Sequence, residues 1–148
     1  MVSIRGEHMN KFLFYLLSFT WGLPMTLIGL IVALVLMITG HKPKKHGYSL
    51  HFEVGNNWGG LSLGVVFLTD KTPSEHTKNH EVGHSIQNCY WGLLFPFVIA
   101  IPSAIRYWYR ELKYSRKGKF PPTKYDDFWV EGDATKRGTK FIESLGEK

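Results

Sequence analysis

The sequence predicts an α+β membrane protein, and three stretches carry that expectation. A charge-free run extends from Phe12 to Thr39, an alternating apolar pattern broken by a Gly-rich cluster fills Tyr48 to Thr69, and a helix opens at Thr72-Pro73-Ser74-Glu75. At 148 residues the chain has room for one domain with a modest core. The expected division is a transmembrane anchor over residues 1–41 and a folded domain over 42–148.

The first run, FLFYLLSFTWGLPMTLIGLIVALVLMIT, reads as one transmembrane helix, tilted or kinked at Pro24. At ~1.5 Å per residue it reaches roughly 40 Å, more than the ~30 Å hydrocarbon core. It is too long for a cleaved signal peptide, and no small-residue cleavage pattern lies near Gly40. Lys42, Lys44 and Lys45 follow it and outweigh Arg5 and Lys11 before it. The positive-inside rule then places the C-terminal domain on the cytoplasmic side.

Between anchor and helix, Tyr48, Leu50, Phe52 and Val54 alternate with Ser49, His51 and Glu53, the period of a half-buried strand. Asn56-Asn57-Trp58-Gly59-Gly60 is a turn cluster and LSLGVVFLT reads as the returning strand, so a single β-hairpin is expected. The next helix should be capped by Thr72, with Pro73 in its first position and Glu75 completing a capping box. It should run to about Tyr90, where Gly92 and Pro96 end it.

A second apolar run, Leu93 to Ile105, is short for a span and contains Pro96 and Pro102, which suits a re-entrant or interfacial segment. Arg106, Arg110, Lys113, Arg116, Lys117 and Lys119 follow with interleaved Tyr and Trp. They read either as a helix lying on anionic headgroups or as a solvated basic face. The net charge of +6 would also suit nucleic acid. No nucleic-acid-binding motif is present, so the expected partner is the lipid bilayer. A single Cys89 excludes an intrachain disulfide framework and a Cys-rich zinc knuckle, leaving His and carboxylates as metal ligands.

Within the expected helix stands HEVGH. Positions four apart share a helix face, so the rings of His80 and His84 can converge on one ion. Glu81 is offset by about 100° and can take a proton from a water on the metal and return it to a leaving amine. His76 extends the row but lies ~12 Å along the axis from His84, which suits a rim residue or one supporting a ligand. A catalytic zinc site needs a third protein ligand; cobalt or manganese would also accept such residues.

HEVGHSIQ resembles the HExGHxxQ active-site helix of zincin-type zinc metallopeptidases. In their gluzincin branch a later helix supplies a glutamate ligand in an E-x-x-A-D pattern. Here EGDAT, Glu131 to Thr135, is similar, with Ala134 at the small position and Thr135 where the family has an aspartate that orients a ligand histidine. The resemblance covers roughly Tyr48 to Thr139. It is nearest to short bacterial membrane proteins and to HtpX-like and CAAX-processing membrane metallopeptidases. It implies a minimal zincin with Zn2+ held by His80, His84 and Glu131, and Asp127 or Asp133 as alternative third ligands.

The same resemblance implies Glu81 as general base and a peptide or protein substrate near the membrane, bound by strand addition. Thr135 would stand behind a ligand histidine, with Asp126 or Asp127 in that role if the fold brings them near. Tyr125, His76 and Arg106 are candidates for stabilising the oxyanion. The departure at Thr135 motivates a rival reading, a non-proteolytic zinc-binding membrane scaffold or sensor. A basic membrane-surface adaptor with incidental histidines is the third.

Overall fold

A computed structural model describes residues 9–146, and in it the chain is an α+β fold of five α-helices and one small mixed sheet. The apolar run forms two helices, α1 (Lys11–Phe19) and α2 (Leu23–Ile38), bent by 94° at Thr20–Gly22. Among the described residues no single helix is long and apolar enough to cross a membrane, which corrects the expectation of one continuous span. Pro24 lies in the first turn of α2, where a missing N–H costs nothing, so it starts a helix rather than kinking one. The bend is held from outside. Trp21 Nε1 donates to the Tyr90 carbonyl (3.1 Å), and Asn88 Nδ2 donates to the Gly22 carbonyl (3.1 Å).

The expected hairpin is instead a four-stranded sheet in the order β1-β2-β4-β3. Its strands are β1 (Lys44–His46), β2 (Ser49–Glu53), β3 (Gly60–Leu63) and β4 (Val66–Thr69). LSLGVVFLT folds on itself, with Gly64 at φ 68 in the β3–β4 turn. That returns β4 parallel to β2, with Phe52 opposite Leu68. Both faces of the sheet are covered, so β2 is not half-buried in the expected sense. Leu63 and Val66 lie under Gly29 of α2, while Ser62 and Ser49 face Ser85 of α3 (Glu75–Trp91). The polar face of β2 is buried because its partners are polar too. His51 Nε2–H donates to Thr69 Oγ1 (2.7 Å), whose own proton goes to the Asp70 carbonyl; on the neighbouring β1, His46 meets Asn79 of α3 (2.9 Å).

Helix α3 starts two residues later than expected: Ser74, not Thr72, accepts from the Thr77 N–H (3.1 Å), while the Thr72 N–H is held by Asp70. It ends at Gly92, φ 51. The chain then turns through Gly92–Leu94 and a π-helical stretch, Pro96–Ala100, into α4 (Ile101–Lys113), which buries no residue fully. Arg106 and Arg110 of its basic face are tied to carbonyls of Lys124 (2.9 Å) and Thr123 (2.8 Å). After a single turn at Tyr125–Asp127, α5 (Trp129–Ser144) packs along α3.

That last contact positions the site. A Cβ on Gly83 would fall on the Ala134 carbonyl, and one on Gly138 on the Asn79 carbonyl. Glycines at these two points let α3 and α5 cross almost backbone to backbone. The core runs continuously beneath them: Phe14 of α1, Phe52 and Phe67 of the sheet, Val82 and Ile86 of α3, and Phe141 of α5 form one buried cluster.

Candidate metal centre

The close crossing of α3 and α5 brings His80, His84 and Glu131 together. His80 Nε2 and His84 Nε2 are 3.1 Å apart, and Glu131 Oε2 lies 3.1 Å from the first and 3.2 Å from the second. All three residues are buried, Glu131 completely. Ligand atoms 2.0–2.2 Å from a tetrahedral ion are separated by about 3.3–3.6 Å, so the triangle is slightly smaller than one ion requires. A buried His80, His84, Glu131 group of this kind can hold a metal ion.

The hydrogen bonds behind the two rings fix which nitrogen is free. Gln87 Nε2 donates to the Val130 carbonyl (3.0 Å) and Asp133 Oδ2 (2.8 Å), so its Oε1 is left to accept. His84 Nδ1, 2.7 Å away, must be the donor, and its Nε2 carries the lone pair. Thr135 Oγ1 donates to Asp126 Oδ2 (3.0 Å), so it accepts from His80 Nδ1–H at 2.7 Å, which frees His80 Nε2 as well. Two imidazole lone pairs and a carboxylate thus face one point. Without a metal, Glu131 favours a proton on the facing His84 Nε2, which bridges ring and carboxylate; a metal ion would take that proton's place and use all three atoms as ligands.

The electrostatics carry the same sign. Burial alone would raise Glu131, but the bonds to His80 and His84 hold its carboxyl well below the usual carboxylate range. Burial lowers His84, yet the Glu131 bond and the Glu81 and Glu131 charges outweigh it and raise its affinity for a proton. The second oxygen of Glu131 accepts from the Tyr125 hydroxyl (3.2 Å), leaving Oε2 as the single inward atom. Tyr125 is itself raised, first by burial and then by the Glu131 charge.

Glu81 sits beside this group. Its carboxylate lies against Gly60 of β3, where any side chain would collide with it, and its Oε2 is buried with no hydrogen-bond partner. Burial raises its pKa, with His84 and His80 opposing. Glu81, His80 and His84 line a cavity of about 930 Å³, bounded also by Gly60 and Leu61 of the edge strand β3 and by Tyr107 of α4.

The other expected residues are placed as follows. Thr135 stands directly behind His80, as its position in the motif requires. His76 is at the cavity wall, its Nε2 3.5 Å from Asp126 and its ring 6.4 Å from that of His80. Arg106 faces the loop carbonyls and the Phe128 ring rather than the cavity, so of the oxyanion candidates only Tyr125 and His76 line it. Asp127 caps its own turn by accepting from the Lys124 N–H (2.9 Å), and Asp133 is bound by Gln87 and Arg137. Neither alternative third ligand is in the group. Gln87 had no role from the sequence beyond the motif match, although its position three residues after His84 puts both on one helix face. Burial pushes the Cys89 thiol up to about 11, and it bonds Ser18 of α1, so it offers no thiolate.

Family models, curated proteins and solved structures were compared with this chain, and none matches.

Proposed function

We propose that the protein is a membrane-associated zinc metallopeptidase, with His80, His84 and Glu131 as ligands and Glu81 as general base. The observation that carries this reading is the triangle of two Nε2 lone pairs and Glu131 Oε2, each 3.1–3.2 Å from the next. Two neutral imidazoles and one carboxylate are a donor set that suits zinc. Bound there, zinc supplies Lewis-acid polarisation of a carbonyl and lowers the pKa of a water molecule.

The chain's own groups supply the rest. Glu81, whose side chain lines the cavity, takes the proton as a water oxygen adds to the peptide carbonyl carbon. It returns that proton to the amide nitrogen as the C–N bond breaks. Gly60 keeps the space this carboxylate needs. Strand β3 is an edge strand at the cavity wall, and an extended peptide can add to it while its scissile bond reaches Glu81. Tyr125 lines the cavity, and its hydroxyl donates to the outer oxygen of Glu131, which holds that carboxylate in place.

The membrane part of the proposal rests on two apolar stripes. Leu27, Ile31, Leu34 and Ile38 are exposed along α2, and Ile101, Ile105 and Leu112 along α4. Both stripes lack charge, and Val32 of α2 packs with Phe95 and Ile99 of the segment that leads into α4. A bent α1–α2 pair passes the composition and length of a span. The second such pair includes α3, whose buried His80, Glu81, His84, Gln87 and Asn88 mark it as the core helix of the site instead. Lys42, Lys44 and Lys45 after α2 favour a cytoplasmic domain.

Glu81→Gln tests the catalytic half. The variant should keep zinc and lose hydrolysis of a peptide library that the wild type cleaves. A wild type that holds zinc yet cleaves nothing would favour the scaffold or sensor instead.

A further inference from the structure

The aspartate that the resemblance leads one to expect at position 135 is a threonine, yet a carboxylate still stands behind His80. Asp126 comes from the turn Tyr125–Asp127, outside α5, and reaches the ring through the Thr135 hydroxyl: His80 Nδ1 to Thr135 Oγ1 is 2.7 Å, and Thr135 Oγ1 to Asp126 Oδ2 is 3.0 Å. The other Asp126 oxygen is 4.0 Å from His80 Nδ1, too far for a direct bond. The turn can lie this close because residue 132 is glycine; a Cβ there would meet the Asp126 carbonyl at 2.5 Å. Asp127 closes the turn on the Lys124 N–H and so fixes where Asp126 points.

We propose that Asp126 and Thr135 act in series as one positioning relay for His80, in place of a single aspartate at 135. The relay rests on the metal-site reading above. Its chemistry is directional. A carboxylate only accepts, so the hydroxyl spends its one proton on Asp126 and must accept from His80. That fixes the Nδ1–H tautomer, turns Nε2 towards Glu131, and passes part of the carboxylate's charge to the ring, raising its basicity as a ligand. Asp126 also lies 3.5 Å from His76 Nε2, so a second imidazole at the cavity wall is drawn to the same carboxylate.

A series arrangement has a signature that separate structural roles lack. Zinc affinity, read by competition with a chromophoric chelator, should fall about 10- to 100-fold in Asp126→Asn and in Thr135→Val. The Asp126→Asn/Thr135→Val double variant should be no worse than the weaker single one, because either change already breaks the relay. Thr135→Ser keeps the hydroxyl and should bind as the wild type does. Asp126→Asn/Thr135→Asp, which places the charge directly on the ring, should recover most of the lost affinity.

Cobalt-substituted proteins give a second readout. The d–d spectrum should shift in the two single variants and return in the rescue. Asp126→Asn with wild-type affinity, additive losses in the double variant, or failure of the rescue would each overturn the relay. The rescue decides the matter even if Thr135→Val does not fold. A wild type that takes up no zinc would instead sink the metal-site reading, so the two failures are distinguishable.

Discussion

Replacing Gly83 by alanine adds one carbon at the point where α3 and α5 touch. The new Cβ would fall on the Ala134 carbonyl, and both groups belong to helix backbones that cannot swing away as a side chain can. Relief requires the helices to part by on the order of 1 Å, since carbon and oxygen settle into contact at separations near 3.5 Å. Overpacking of this kind costs about 1–3 kcal/mol. The gain in helix propensity from Gly to Ala returns about 1 kcal/mol. The net loss of about 0–2 kcal/mol leaves a folded protein.

The proposed metal centre would tolerate far less. Ligand distances must hold to within about 0.2 Å, and Glu131 rides on α5, less than one turn from Ala134, while both histidines ride on α3. A shift of that size removes Glu131 Oε2 from its place 3.1–3.2 Å from the two Nε2 atoms. Zinc affinity should fall by more than about 100-fold, beyond what loss of one supporting hydrogen bond does. Chelator competition measures the affinity, and a thermal melt of metal-free protein confirms folding. Gly83→Ala protein that melts near the wild type and binds zinc within a few-fold of it would refute the claim that this crossing sets the ligand geometry.

Gln87→Leu removes the acceptor for His84 Nδ1–H and one partner of Asp133, so zinc affinity should drop about 10- to 100-fold, whereas Gln87→Glu keeps an acceptor and should lose less. His51 is buried, stacked on Phe67 and lowered to about 4, chiefly by burial, from 6.5 in the unfolded chain. Its contribution is therefore fully present above pH ~6.5 and drains away as pH falls towards 4, by roughly 3 kcal/mol at most. Urea melts of metal-free wild type and His51→Gln at pH 7 and pH 4.5 should show a smaller acid loss in the variant; equal losses would contradict it. Finally, the wild type should float with vesicles containing anionic lipid, and Ile31→Lys/Ile105→Lys should float less. Equal recovery would remove the two apolar stripes as the lipid-facing surface.

The site was legible where its signals are local. Four-residue spacing puts two histidines on one helix face, Pro73 and Gly92 bracket that helix, and Glu131 follows from its own short pattern. The sheet was not, because LSLGVVFLT is apolar throughout and only the left-handed conformation at Gly64 divides it into two strands. Composition cannot see the bend at Thr20–Gly22 either. Its tethers, the Tyr90 carbonyl and the Asn88 side chain, arrive from about seventy residues away and stop a run long enough to span from doing so as one helix. The polar face of β2 read as solvent-facing, and its burial depends on the serine and threonine that meet Ser49 and His51 in space. Thr135 read as a weakened support for His80, and the hydroxyl's bond to Asp126 depends on a turn no local pattern announces.

The central claim is that this chain builds a three-ligand metal centre across α3 and α5. Metal content of the purified protein, prepared without chelator and compared with Glu131→Ala, tests it most directly. One equivalent of zinc is expected per wild-type chain, and a small fraction of that in Glu131→Ala. A wild type free of metal, or a variant that holds zinc as firmly as the wild type, would contradict it.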